Sequence, residues 1–540
     1  MSSPGLRNIL ITGANGFLGS NLLGYLHEKT DCTIWNAGRS GSANSIENLV
    51  RNHNLRDVTV ILNGWGGVHT SHKRDLELQS RSLQDFKSQV DECLENRVNT
   101  ILGFGTQAEF SELPREPGDE FRGYSSAKVE ARKYLLAATV SNQIRSKWIR
   151  IFSVYGSGMD DRWLIPKVLR AVNSRTSLDL GPCSQLWGLL HIRDFCAAIA
   201  TLLESSHEGF DLDLGAPADQ SLKDLIQHVE KLFGEHDLIN FNPGEHPANS
   251  IPNLDVLRSL GWSAEVDFRE GILEMVRNQK NKLSKLNAAA YRARSNTLKI
   301  VSASKAAHVG SSLSAIEIFI ATLGIAMPDD CIIVSKGHAA AGYYASLEAL
   351  GRMPIEDLFT YGKNGSVLFG HVSKESGFGI EFSSGSLGHG LPYGVGRALG
   401  AMKNMAPRRI FVICSDGEMD EGTTWESALL GAHHNLSNLT LVVDRNRLQS
   451  IKGTEETLQL EPLGDKWRAF NWAVSEIDGH DLEALNRALL AGTDSQPHVI
   501  IANTVKGKGV SFMENNNLWH YVPPNQEQLA SGLQELDNEH

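Results

Sequence analysis

Short apolar runs recur through the first part of the chain: NILIT from Asn8, then CTIWNAG, VTVILNG and TILGFGT, with longer amphipathic stretches between them. Strand-length runs alternating with helix-length segments predict βαβ units, and hence a doubly wound parallel sheet from Asn8 to about Ala138. WIRIFSVYG, around Trp148 to Tyr155, adds a further strand. Beyond it, irregular segments mix with helical ones such as LIPKVLRAVN and DLIQHVEKLFG, which suits a smaller substrate-binding part of the same domain. A second alternation follows, with CIIVSKG, RIFVICSDG, LTLVVDRN, WAVSEIDG and HVIIANTVKG reading as strands that end in Gly or Asp. The stretch between the two, Asn278 to Asn296, is polar, rich in Lys and Arg, free of Gly and Pro, and helix-permissive. The boundary falls near Lys282, giving α/β domains 1–282 and 283–540. No repeat period relates them, so the chain reads as a fusion.

At 540 residues the chain exceeds what one ordinary core holds. A hydrophobic content of 41% with 21% charged residues is globular composition. The net charge of -12 argues against a broad nucleic-acid or anionic-membrane surface, while leaving room for a local basic pocket around phosphate. Six cysteines are scattered without a Cys-x-x-Cys pair and read as reduced thiols. The opening MSSPGLRNILITG runs into a strand without a secretory signal, and no apolar run approaches the ~18–20 residues of a membrane span. Cytoplasmic residence is the expectation.

TGANGFLG places Gly13, Gly16 and Gly19 between a strand and a helix, the setting in which a pyrophosphate approaches a helix N-terminus. In YSSAK, Tyr124 and Lys128 are four apart and share a helix face, where the lysine is expected to lower the phenol's pKa and let Tyr124 exchange a proton with a carbonyl or alcohol. With GTQAEF ending the preceding strand, these motifs stand in an order that resembles the extended short-chain dehydrogenase/reductase family, the NAD-dependent epimerases and dehydratases. The similarity continues through RIFSVYG, LWGLLHIRDFCAAIATLL and LGWSAEVDFREGI to about residue 280. The resemblance implies a Rossmann domain that moves hydride between a nicotinamide and a sugar carbon, with Thr106 orienting the substrate oxygen, Tyr124 as acid/base and Lys128 as its electrostatic partner. After the second strand, IWNAGRS lacks the acidic residue expected to hold an NAD ribose and offers Arg39 and Ser40, which suit a 2′-phosphate and favour NADP over NAD. Thr106 replaces the family's usual Ser, and Phe110-Ser111 its usual Tyr-Gly. Glu109 is the single acid beside Thr106 and is expected to face structure, so a reductase or epimerase fits better than a dehydratase.

In VICSDGEMDEG, Asp416 follows an apolar strand, and Asn446 follows the strand LTLVVDRN. Two strand ends can meet at one metal, and a carboxylate, an amide and a backbone carbonyl suit magnesium's oxygen shell. Around this pair stand AAHVGSSLSAIEIF, SKGHAAAGYYASL, FGHVS, GSLGHGLPYGVGRALG and KGKGVSFMEN, in an order similar to the N-terminal, diphosphate-binding half of transketolase over about residues 285–525. That resemblance implies thiamine diphosphate held through a magnesium ion by Asp416, Asn446 and the Leu448 carbonyl. It further implies that Gly417 makes room for the diphosphate and that Glu421 couples paired sites. His308, His338, His371 and His520 would surround cofactor and substrate oxygens and relay protons. Ser415, Arg445 and Val372 stand where the family has Gly, Asn and Pro. Glu418 and Asp420 are expected to be solvated, and His389 is given no role.

Transketolase also uses a pyrimidine-binding domain, and the residues after WHYVPPNQEQ do not amount to another α/β unit. The expectation is that a separate polypeptide supplies that half, in a hetero-oligomer with two copies of each chain. The fusion suggests two-carbon ketol transfer followed by reduction or epimerisation of a neighbouring keto group, with a sugar or nucleotide-sugar acceptor and a branched-chain sugar as product. Two other readings stand beside it: an NADP(H)-sensing scaffold without catalysis, and two pathway steps on unrelated substrates.

Overall fold

The computed structural model describes residues 7–65, 75–112, 122–160, 162–244, 248–327, 329–403, 408–493 and 495–539. The side chains of Phe110 and Ser111 lie outside the description. The chain divides into two compact units, Met1–Gln279 and Lys280–His540.

In the first unit, β1 (Asn8–Thr12), β2 (Thr33–Ala37), β3 (Val58–Leu62) and β4 (Thr100–Thr106) each precede a helix in chain order, and β5 (Arg145–Ile151) follows the last of these. Short strands β6 (Val154–Tyr155), β7 (Leu178–Leu180), β8 (Leu190–His191) and β10 (Ile239–Phe241) form two parallel pairs, β6 with β8 and β7 with β10. β9 (Asp211–Leu214) closes the main sheet, whose order is β2-β1-β3-β4-β5-β9, all parallel. This Rossmann-like doubly wound sheet runs 2-1-3-4-5 through its first five strands, so connections leave β1 in opposite directions on its two sides. A crevice at the carboxyl ends of β1 and β3 follows from that reversal. The Val58–Leu62 strand is buried along its whole length, as a strand covered on both faces requires.

The second unit is a five-stranded parallel sheet, β11 (Cys331–Val334), β12 (Ile410–Ser415), β13 (Leu439–Arg445), β14 (Ala473–Asp478) and β15 (His498–Asn503), in the order β11-β12-β13-β15-β14. Every residue of β12 and β13 is buried. Because all five strands are parallel, their carboxyl ends share one edge.

The polar stretch between the two alternations is helical throughout, within the helix Phe268–Ser304. Its apolar positions keep the 3–4 spacing: Ile272, Met275 and Val276 pack into a core cluster of the first unit, and Leu286, Ala289, Ala290 and Ala293 into one of the second. The units part inside this helix. All six cysteines are unpaired. Among the described residues, no helix is long and apolar enough to cross a membrane.

Candidate active sites

In the first unit the glycine turn lies between β1 and the helix Phe17–Lys29. Gly13 has φ +63°, and a Cβ there would lie 2.8 Å from Gly64 Cα; a Cβ on Gly19 would lie 2.3 Å from the Gly13 carbonyl oxygen. Gly16 precedes the helix and donates its N–H to that carbonyl at 3.0 Å. The turn is therefore held against Gly64 at the end of β3, at the crevice, with free amides of the helix's first turn available to an anion. After β2, Arg39 is more than half exposed and forms a 3.9 Å ion pair with Asp85. The Ser40 hydroxyl is buried without a hydrogen-bond partner among the described residues, an orphan that a phosphate oxygen would satisfy.

Thr106 ends β4, and Tyr124 and Lys128 lie on the helix Arg122–Ser141, so the topology brings all three to one place. The Thr106 and Tyr124 side chains share a hydrogen bond. The Lys128 ammonium donates to the Phe104 carbonyl at 2.7 Å and lies 3.9 Å from the centre of the Trp65 ring. Glu109 faces structure, accepting from the Thr106 N–H at 2.7 Å and the Trp148 indole at 3.0 Å. One expectation fails here: burial pushes Tyr124 up to about 12, with the Thr106 hydrogen bond lowering it and Glu109 raising it. Desolvation of the phenolate outweighs the Thr106 hydrogen bond, the one lowering influence on it. Lys128 is itself lowered to about 7 by burial, against the pull of Glu109.

In the second unit the parallel register does the assembly. Ser415 is paired with Asp444, so Asp416 comes out beside Arg445, one residue before Asn446. Asp416 is buried; one oxygen accepts from the Gly417 N–H at 2.9 Å, the other from the Arg447 N–H at 2.6 Å and the Arg445 guanidinium at 3.1 Å. The Asn446 side-chain oxygen accepts the Leu448 N–H at 3.1 Å, and Arg447 between them is left-handed at φ +63°. A buried carboxylate, an amide and a main-chain carbonyl are all oxygen donors, and the set fits magnesium. Burial first, then Asp444, raises Asp416 to about 6, with Arg445 opposing.

The histidines converge from four separate segments. His308 lies 5.6 Å from His338, 5.8 Å from His371 and 4.7 Å from His520, ring centre to ring centre. The His308 N–H donates to the His520 carbonyl at 2.8 Å, which ties two of the segments together. His308 is left-handed at φ +71°, a conformation a branched or bulky residue avoids. Burial lowers His308 to about 4 and His520 to about 3, with nearby Lys506 contributing to both. These rings are neutral at pH 7 and can donate or accept a hydrogen bond.

The acidic run after β12 is not a solvated cluster. Glu418 is fully buried and accepts from Ser335 Oγ, the Ser415 N–H at 2.9 Å and the Gly388 N–H at 3.1 Å; Asp420 accepts from Gln449 at 2.6 Å. The expected solvation of Glu418 fails because its carboxylate closes a capping box with Ser415. Glu421 is exposed at the start of the helix Gly422–His433, and His389 is exposed too.

Sequence reasoning passed over several groups. Lys336 and Asp444 form a fully buried ion pair that also holds Ser314 and Thr504. Lys506 donates to the Gln449 carbonyl at 2.9 Å and lies 3.1 Å from His520 Nδ1. Both lysines stand within motifs already singled out, SKGH and KGKG, which was the available signal.

Comparison with known proteins agrees in both halves. The NAD dependent epimerase/dehydratase family matches residues 9–215. The transketolase thiamine diphosphate binding domain matches residues 287–537. The chain is 39% identical over 255 residues to one of the subunits of the apulose-4-phosphate transketolase of Phocaeicola vulgatus, covering 45% of this chain and 90% of that protein. It is 37% identical to a 6-deoxy-6-sulfo-D-fructose transketolase subunit from a Clostridium species, covering 43% and 89%. Against the transketolase of Pongo abelii it is 31% identical, covering 48% and 43%. The chain is an enzyme that joins a domain of the NAD-dependent epimerase/dehydratase family to the thiamine diphosphate binding domain of the transketolase family.

Proposed function

We propose that the two halves act on carbohydrate: the second transfers a two-carbon ketol unit and the first reduces or epimerises a keto-sugar. The observation that carries this reading is that residues scattered along each half converge at the carboxyl edge of each sheet with side chains suited to the two chemistries. When bound, thiamine diphosphate supplies a nucleophilic carbon that can break a bond beside a carbonyl, and a nicotinamide supplies hydride.

In the second unit, Asp416, Asn446 and the Leu448 carbonyl would hold magnesium, and Gly417 leaves space for the diphosphate. Neutral His308, His338 and His520, with His371 at the exposed side, hold protons at the substrate's hydroxyl and carbonyl oxygens. In the first unit, the glycine turn holds the dinucleotide, and Arg39 with the orphaned Ser40 hydroxyl favours NADP. Thr106 orients the reacting oxygen, Tyr124 donates or takes its proton, and Lys128 offsets the developing phenolate charge.

A second polypeptide would supply the pyrimidine-binding half, in a hetero-oligomer with two copies of each chain and Glu421 at the contact between paired sites. Support comes from the apulose-4-phosphate transketolase relatives, whose names make each of them one subunit of a larger enzyme. The preferred acceptor is a nucleotide-linked keto-sugar, giving a branched-chain product. Incubating this chain and that partner with a ketose phosphate, a keto-sugar and NADPH should add a two-carbon unit and then two hydrogens to the acceptor, read by mass spectrometry. No two-carbon gain under those conditions would overturn the reading.

A further inference from the structure

Trp65 is the third residue after β3, and β3 borders the point where the strand order of the first sheet reverses. Ligands of open α/β sheets bind in the crevice at such a point. The ends of β1 and β3 are locked together there, since the amides of Asn63 and Gly64 both donate to Thr12 Oγ1 at 3.1 Å. The indole is fixed in turn. Its N–H donates to Gln79 at 3.0 Å, and its ring packs 6.1 Å from Phe86, both on the helix Leu76–Glu95. One face of this fixed ring meets the Lys128 ammonium at 3.9 Å, while its edge geometry to the Tyr124 ring is T-shaped at 6.5 Å.

We infer that Trp65 is a positioning residue of the hydride-transfer site, its indole face holding the Lys128 ammonium in place, charged and shielded from water, beside Tyr124. The role in transfer rests on the reductase or epimerase reading; the contact itself does not. The chemistry follows from what surrounds the amine. Lys128 is buried, and the described partners of its ammonium are one carbonyl, that of Phe104, and the ring. Glu109 acts on it through space and is itself within the field of Arg150; Tyr124 and Arg132 share its helix. A desolvated cation over an indole is among the stronger cation–π arrangements, because the ring's negative face replaces part of the lost hydration. Trp is the side chain best suited to it, and a smaller apolar residue would offer the ammonium nothing.

The test uses the full chain without cofactor, labelled with 13C at the lysine Cε, with the Lys128 signal assigned by its loss in Lys128→Arg. Trp65→Leu and Trp65→Met should each lower the Lys128 titration midpoint by about one unit, and Trp65→Phe, which keeps a π face, should restore most of it. The alkaline limb of the pH profile for hydride transfer should move down by the same amount in the Leu and Met variants. A midpoint unchanged in whichever of these two variants folds would overturn the inference. So would a Phe variant that falls as far as Leu, since packing alone would then account for the change. A chain that shows the expected titrations but transfers no hydride to any keto-sugar would instead overturn the reductase reading and leave the Trp65 contact standing.

Discussion

His308 and His520 show how burial at single residues sets the behaviour of the second unit with pH. Both are lowered from an ordinary value near 6.5, to about 4 and about 3. The unfolded chain therefore takes up protons before the folded one as pH falls, and stability decreases with it. Their contribution is complete above about pH 6.5 and is lost progressively down through the folded values. In the chain without cofactors, the thermal midpoint of the second unit should drop between pH 6.5 and 4, and His520→Gln should flatten that slope. A slope unchanged by His520→Gln would show that His520 contributes none of it. Tyr124 and Lys128 were legible at this scale because a four-residue helical spacing is local. Trp65 was not, since it stands 63 positions before Lys128 and nothing in NGWGG points to a lysine on a distant helix.

At the scale of elements, the two sites rest on different devices. The glycine turn depends on backbone approaching backbone, which leaves no room for side chains. Gly19→Ala would place a Cβ 2.3 Å from the Gly13 carbonyl oxygen, so the helix must shift off the turn. NADPH binding, followed by nicotinamide fluorescence, should weaken at least about tenfold, the equivalent of ~1.4 kcal/mol. The second site depends on a buried carboxylate that joins three loops, because Glu418 bonds Ser335 before His338, Gly388 in the GSLGHG loop, and Ser415 before Asp416. Glu418→Ala leaves three buried donors without an acceptor, each costing about 1–3 kcal/mol. At the low end of that range, about 3 kcal/mol in all, the melting temperature of the second unit should already fall by roughly 6–12 °C, and a fall under about 2 °C would show that water replaces the carboxylate. The turn glycines were legible from spacing alone, whereas Glu418 looked like one acid among several.

For the molecule as a whole, the residues assigned to each chemistry lie within one compact unit. Tyr124→Phe should therefore lower hydride transfer roughly 10²–10⁴-fold while leaving ketol transfer with the partner intact, and Asp416→Ala should do the reverse. Loss of both activities from either substitution would contradict separate sites. The amino-acid sequence by itself determined that there are two α/β halves, where most strands lie, and which glycines, histidines and strand-end polar residues were candidates for a site. Those features follow from hydrophobic period and local spacing, which are properties of neighbouring residues. Tertiary structure alone decided that the first sheet reverses between β1 and β3, that Lys336 meets Asp444 across 108 residues, and that the Glu418 carboxylate is buried rather than solvated. Each of these depends on parallel pairing, which aligns strand ends far apart in the chain, and on desolvation, which only the packed interior imposes.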